Sequence, residues 1–235
     1  MSSESPSAET PLSILTWNMQ GAGTSDLKKG KLRIAMEDRT LSAICLQECG
    51  TLHDWRDVVN DYGWDMHHTP WGTNTRCSLA ILYRIGEKHV SPGESELDGY
   101  EGKRPMLWVT IRGRRIFTIH APAGGHKGTI AFDVGAVTKA SESFIPWIVV
   151  GDFNVSPGVL QPHLPAGELA RNGLPTQLGG RELDYGVVSG GSCKVHHPTI
   201  GPSTYFTGGI SVSDHAPVQI EWTVSAPAPS RCVVM

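Results

Sequence analysis

The eight residues Trp147-Ile-Val-Val-Gly-Asp-Phe-Asn154 constrain this chain more than any other stretch. A short run rich in Ile and Val, bounded by Pro146 and Gly151, reads as a buried strand. The run breaks into Gly-Asp-x-Asn, so Asp152 and Asn154 stand at the strand's mouth. A rigid element ending in polar side chains is how α/β proteins aim chemistry. A carboxylate and an amide two residues apart can deprotonate and orient one water. The plainer alternative is an Asx-type turn into Ser156-Pro157.

The same pattern recurs along the chain. Leu12 to Trp17 is an expected strand ending in Asn18, and Leu41 to Leu46 one ending in Gln47-Glu48. Leu27 to Thr40, apolar at 27, 32, 35 and 36, predicts a surface helix between them. A helix is expected over His53 to Asn60, then strands over Trp64 to Thr69 and Ser78 to Tyr83, with a polar loop from Trp71 to Arg76. Ser91 to Gly102 is acidic and Gly-rich and predicts a loop. Arg104-Pro105 then opens a strand over Met106 to Ile111. Arg112-Gly113-Arg114 signals a hairpin into Ile116 to His120. Arg112, Arg114 and Arg115 read as a solvated hairpin tip rather than a DNA-binding patch. A helix is expected from about Thr129 to Ser143. After the central strand an irregular Pro/Gly segment runs to Gly180. Strands follow over Glu182 to Val188 and Val218 to Val224, with Ser192 to Gly209 mostly loop between them. Strands dominate, which predicts sheet packed on sheet with helices outside.

With 235 residues and no internal linker, one domain over 12–224 is expected, between an acidic Ser/Glu/Pro-rich segment (1–11) and a flexible tail (225–235). The first ten residues have neither a basic n-region nor an apolar core, so a secretory leader is not expected and action inside a cell is. No run approaches membrane-span length. A net charge of −3 argues against wholesale coating of nucleic acid, but a phosphate-binding site needs only local positive charge. The five cysteines (Cys45, Cys49, Cys77, Cys193, Cys232) show no zinc-type spacing, which points to a reducing compartment and away from a soft-metal site.

The groups at the expected strand ends form a chemically coherent set: Asn18, Glu48, Arg104, His120, Asp152, Asn154, Asp184, Asp214 and His215. Glu48, with Asn18 and Asp214, offers hard oxygen ligands suited to Mg²⁺ or Mn²⁺. Asp152 can take a proton from a water that Asn154 holds in line. His120 and His215 can donate to phosphate oxygens as charge builds. Asp184 is a candidate partner that would fix the His215 tautomer and favour its imidazolium. Arg104 can grip phosphate in a fork. Together these describe metal-assisted hydrolysis of a phosphate ester. Each residue has a bland alternative, such as a solvated strand end for Glu48 or an ordinary turn former for Asp214. His67-His68 and His196-His197 are left in that structural class.

Leu15-Thr-Trp-Asn-Met-Gln20, Leu46-Gln-Glu48, Thr118-Ile-His120, Val150-Gly-Asp-Phe-Asn154 and Ser213-Asp-His215 resemble the endonuclease/exonuclease/phosphatase superfamily. Trp17-Asn-Met-Gln-Gly21, Arg104-Pro105, Pro175-Thr-Gln-Leu-Gly-Gly180 and Leu183-Asp-Tyr-Gly-Val187 resemble, in order, one branch of it, the catalytic subunit of cytolethal distending toxin. The resemblance implies a four-layered α/β/β/α sandwich of two mostly antiparallel sheets, with the site at one edge. It implies Glu48, Asn18 and Asp214 at a divalent metal and Asp152 and Asn154 at the attacking water. His215 with Asp184, and His120, would surround the scissile phosphate, and Arg104 would bind it. The expected substrate is DNA; the alternative is a phosphoinositide, as for a phosphatase on the same fold, and a non-catalytic phosphate-binding scaffold stands third. The toxin is exported and carried by partner subunits. This chain shows no leader and is shorter before Arg104, so carrier subunits are not expected partners.

Cys232-Val-Val-Met235 fits the C-a-a-X pattern for farnesylation, although no polybasic stretch adjoins it. A prenylated Cys232 would add weak membrane contact.

Overall fold

The computed structural model describes residues 10–20, 25–50, 55–70, 78–87, 90–99, 102–123, 126–196 and 213–224. The expected Trp71–Arg76 loop, His53, Cys77 and the C-a-a-X motif at Cys232 lie outside the described residues.

The central run forms β8 (Trp147–Asp152), beside β7 (Arg114–His120) in parallel. The other parallel pair is β1 (Leu12–Asn18) with β2 (Ala43–Gln47). Helix α1 (Asp26–Glu37) links β1 to β2, and α3 (His126–Ser141) links β7 to β8. The remaining elements are α2 (Arg56–Asp61), β3 (Trp64–Thr69), β4 (Leu79–Arg84), β5 (Ser91–Gly99), β6 (Gly102–Ile111), α4 (Pro157–Leu160), β9 (Glu168–Ala170), β10 (Asp184–Val188), β11 (Ser192–His196) and β12 (Val218–Thr223).

Two six-stranded sheets result, ordered β11-β12-β1-β2-β4-β3 and β5-β6-β7-β8-β10-β9. Each has a parallel pair at its centre and antiparallel strands on both sides, so the two halves share one plan. The weak pseudo-repeat of polar strand ends in the sequence is the trace of that plan.

Both faces of each sheet are covered, which explains why the central strands read as continuous apolar runs. Ile14, Cys45, Val109, Ile148, Val150 and Ile220 pack between the sheets. Leu15, Trp17, Leu46 and Trp64 face α1, whose Leu32, Ala35 and Met36 join them. Phe117, Val149 and Tyr185 face α3 through Phe132, Ala136 and Val137. These are the four layers of an α/β/β/α sandwich. No helix among the described residues is long and apolar enough to cross a membrane.

Several expectations are corrected. Ser91 to Gly99 is a strand, not a loop: it is an edge strand paired along its whole length with β6. Edge pairing uses backbone groups, so the acidic Glu94 and Glu96 simply face solvent. Gly93 belongs there because a Cβ would collide with the Trp108 ring. Ser192 to His196 is likewise an edge strand, and the Pro/Gly segment holds α4 and β9. Helix α1 ends at Glu37 and α3 starts at His126. Leu27, assigned by periodicity to the buried face of α1, is 53% exposed, and Lys28 is buried in its place.

The arginine tip is also revised. Arg112 and Gly113 carry the paired positive φ values (50° and 71°) of a tight hairpin, and exposed Arg112 meets Glu87. Arg114, however, is buried and donates to the carbonyls of Thr10 and Trp222. Arg115 lies over the Trp108 ring, 4.4 Å from its centroid. Cys45, Cys49 and Cys193 are free thiols, and burial pushes Cys49 up to about 12, so it is an inert core thiol.

Candidate active site

Parallel strands deliver their C-terminal ends to the same side. The ends of β1 and β2 bring Asn18 and Glu48, and those of β7 and β8 bring His120 and Asp152. Antiparallel β10 starts at the same edge, pairing Asp184 with Asp152. The segment before β12 adds Ser213, Asp214 and His215. Sheet topology thus gathers these groups from both sheets onto one edge.

Asp152 is the hub. It is 1% exposed, and its Oδ2 accepts from Asn18 Nδ2 at 2.9 Å and Asn154 Nδ2 at 3.2 Å. His120 Nε2 lies 3.8 Å and His215 Nε2 3.9 Å from the same oxygen. Its Oδ1 accepts the Asn154 backbone N–H at 2.9 Å. Burial, reinforced by Asp184, raises the Asp152 pKa, although His215, His120 and the Asn154 N–H oppose that shift. Gly151 precedes it with φ 146°, where a Cβ would strike the Ile119 carbonyl, so β8 can lie beside β7 only with glycine there.

His215 Nδ1 sits 2.7 Å from Asp184 Oδ2. Burial disfavours the charged ring, but Asp184, Asp152 and Asp214 outweigh it and push the pKa up to about 9. The ring is therefore an imidazolium at neutral pH, with Nδ1–H donating to Asp184 and Nε2–H turned toward the Asp152 side.

Glu48 takes a left-handed backbone, φ 47°, and its Oε1 lies 3.3 Å from Asn18 Nδ2 and 3.5 Å from His120 Nε2. Gln20, Glu48 and Asn154 are three of the four non-glycine residues with positive φ among the described residues. Strain of this kind gathers where geometry is held for a purpose. Asn18 spends its Oδ1 on the Gln20 N–H at 2.9 Å, so it offers N–H groups to the two carboxylates. Arg104 is buried and donates Nη1 to the His120 carbonyl at 3.1 Å, behind the strand end that carries His120.

Two donor sets could take a cation. Asp152, Asp184 and His215 place ligand atoms within 4.8 Å of one another. In that set the His215 Nδ1 is already committed to Asp184, and both carboxylates are fully buried. Glu48, which is partly exposed, and Asp214, with a third of its side chain exposed, present further hard oxygens with room for waters.

Four further residues hold the site together. Gln47, fully buried, joins the sheets by donating Nε2 to Thr118 Oγ1 at 2.8 Å and Thr16 Oγ1 at 3.1 Å. Ser213 Oγ donates to the Asn18 carbonyl at 2.7 Å and accepts the His215 N–H at 3.1 Å. Thr176 Oγ1 accepts the N–H groups of Leu183 and Asp184. Lys28 reaches the Met19 carbonyl. Gln47 and Ser213 were visible inside the motifs, without a role. Thr176 also lies inside a motif, and Lys28 sits in a Lys28-Lys-Gly-Lys31 run whose charge conceals its burial.

This architecture is the deoxyribonuclease I-like fold. A cytolethal distending toxin subunit of Escherichia coli is 24% identical over 246 aligned positions, covering 90% of this chain and 91% of that protein. The Haemophilus ducreyi cytolethal distending toxin structure matches with TM-score 0.63 and 20% identity, covering 91% of this chain and 98% of the other. The human Nocturnin catalytic domain, solved with a bound sulfate, matches with TM-score 0.68 and 16% identity over 93% and 96%. No family model matches the chain.

Proposed function

We propose that this chain is a divalent-metal-dependent phosphodiesterase acting on DNA, in the manner its likeness to the toxin suggests. The observation that carries the reading is the convergence of His120, His215 and Asn154 on one oxygen of Asp152, with Asp184 closing on His215.

Asp152, whose pKa burial and Asp184 raise, takes a proton from the attacking water. Asn154 uses its amide N–H groups on Ala121 O and Asp152, leaving Oδ1 to receive that water. The His215 imidazolium, held by Asp184, donates to a non-bridging phosphate oxygen, and His120 donates beside it. Glu48 and Asp214 are the ligands for the cation, and Asn18 keeps the Glu48 and Asp152 carboxylates apart through its two N–H groups. The ion, when bound, would polarise the phosphate and stabilise the leaving oxygen. Arg104 serves phosphate recognition through the position it gives His120.

A second substrate class has one supporting observation. Leu174 and Leu178, 51% and 50% exposed, sit on the loop whose Leu178 N–H bonds the Asp214 carbonyl at 2.9 Å. An apolar rim beside the site suits a phosphoinositide in a lipid surface.

The test pairs nicking of supercoiled plasmid with phosphate release from phosphoinositide vesicles, both with Mg²⁺, for wild type, Asp152→Asn and His215→Ala. Nicking lost in both variants supports the nuclease. Phosphate release without nicking moves the activity to the lipid. Wild-type and variant rates that coincide in both assays sink the catalytic reading.

A further inference from the structure

Lys28 stands in the first turn of α1 with 4% of its surface exposed. Two costs oppose that placement. An ammonium is disfavoured at a helix N-terminus by the helix dipole, and burial removes its water. Burial accordingly lowers the Lys28 pKa, while Glu48 and Asp214 pull it back up. The helix had an apolar alternative one residue earlier, since Leu27 is 53% exposed. Packing alone would have turned the leucine inward.

What Lys28 reaches explains the inversion. Its Nζ donates to the carbonyl of Met19, the residue after Asn18. Met19 is itself pinned, its N–H donating to the Gln47 carbonyl at 2.8 Å, one residue before Glu48. Gln20, next in the turn, accepts the Asp214 N–H on its Oε1 at 3.1 Å. The ammonium therefore stands where the Asn18 turn, the Glu48 strand end and Asp214 meet. These are the groups that fit a hard cation.

We propose that Lys28 is a positioning residue and built-in cation of the Glu48–Asp214 side: it anchors the Asn18–Gln20 turn and opposes divalent-ion entry, so the ion binds more weakly but in a better-ordered site. The proposal rests on the metal-dependent reading above. It makes an unusual demand, because the two roles of Lys28 pull in opposite directions. Removing the charge relieves repulsion and tightens ion binding. Removing the anchor loosens the turn and slows turnover. A purely structural lysine would weaken both together.

The experiment titrates Mn²⁺ calorimetrically into wild type, Lys28→Met and Lys28→Gln, the last keeping an N–H donor, with thermal melts to check folding. Plasmid nicking at saturating Mn²⁺ is measured alongside. A fall in Mn²⁺ Kd of roughly 10-fold in either folded variant is expected from loss of one nearby charge. Turnover should drop roughly 10-fold from lost positioning, less in Lys28→Gln. Lys28→Arg, which keeps the charge, should hold the wild-type Kd within about twofold. Unchanged or weaker Mn²⁺ binding in the folded variants overturns the proposal while leaving the metal reading intact. A wild type that binds no Mn²⁺ overturns both.

Discussion

Replacing Asp184 by Asn removes the largest influence that keeps His215 charged, while preserving side-chain volume. The rise of the ring from 6.5 to about 9 corresponds to roughly 3 kcal/mol favouring the imidazolium in the folded chain. Because the folded value lies above the unfolded one, this stabilisation is fully present below pH 6.5 and is lost as pH climbs through about 9. Urea denaturation of Asp184→Asn should therefore show a loss of up to about 3 kcal/mol at pH 6 and a clearly smaller one at pH 9.5. The activity profile should shift as well. With the Asp184 charge and hydrogen bond gone, and only Asp152 and Asp214 left to oppose burial, the alkaline limb assigned to His215 should move down from near 9. Turnover at pH 7.5 should fall by roughly 10²- to 10³-fold, the usual worth of one donor aimed at developing phosphate charge. An equal stability loss at both pH values, together with an unmoved alkaline limb, would refute the assignment of His215 as an imidazolium held by Asp184.

Asp133 on α3 gives a prediction of opposite sense. It is fully buried, neither carboxylate oxygen has a hydrogen-bond partner among the described residues, and burial raises its pKa well above the ordinary carboxylate value. An acid with a raised folded pKa loses stability as pH rises above its unfolded value, so Asp133→Asn should be more stable than wild type at pH 8 and the margin should shrink toward pH 4. Melting temperatures at the two pH values check this; a variant less stable at pH 8 contradicts it. Gln47→Leu should cost about 2–4 kcal/mol by leaving the Thr16 and Thr118 hydroxyls without the amide that joins the sheets. Turnover should fall more than substrate affinity, because Glu48 and His120 then lose their common register; a variant with wild-type denaturation midpoint and turnover would show that the bridge is dispensable.

Much of the fold was legible because its signals are local. The Ile148–Val150 run, the Arg112–Gly113 hairpin and the strand ends at Asn18, His120 and Asp152 all came from apolar patterning and turn chemistry. The edge strands β5 and β11 were not legible, because they are held by backbone pairing to one neighbour and bury few side chains. The buried place of Lys28 was hidden for a related reason. Periodicity ranks residues by hydrophobicity, and a cation turned inward toward carboxylates inverts that ranking.

The sequence by itself determined which groups are available: a carboxylate closing β8 and an amide just past it, a glutamate after β2, a histidine closing β7 and another before β12. It determined their likeness to one superfamily through ordered motifs. Only the tertiary structure decided their relations. Asp184 and His215 are 31 positions apart in sequence and 2.7 Å apart in space because β10 lies antiparallel to β8 while the chain returns to the other sheet. Asn18 and Asp152, 134 positions apart, share a hydrogen bond because two sheets stack with their parallel pairs aimed at one edge. Protonation states follow from those juxtapositions. Burial and neighbouring charge belong to the folded arrangement, and neither is a property of a residue type or its spacing along the chain.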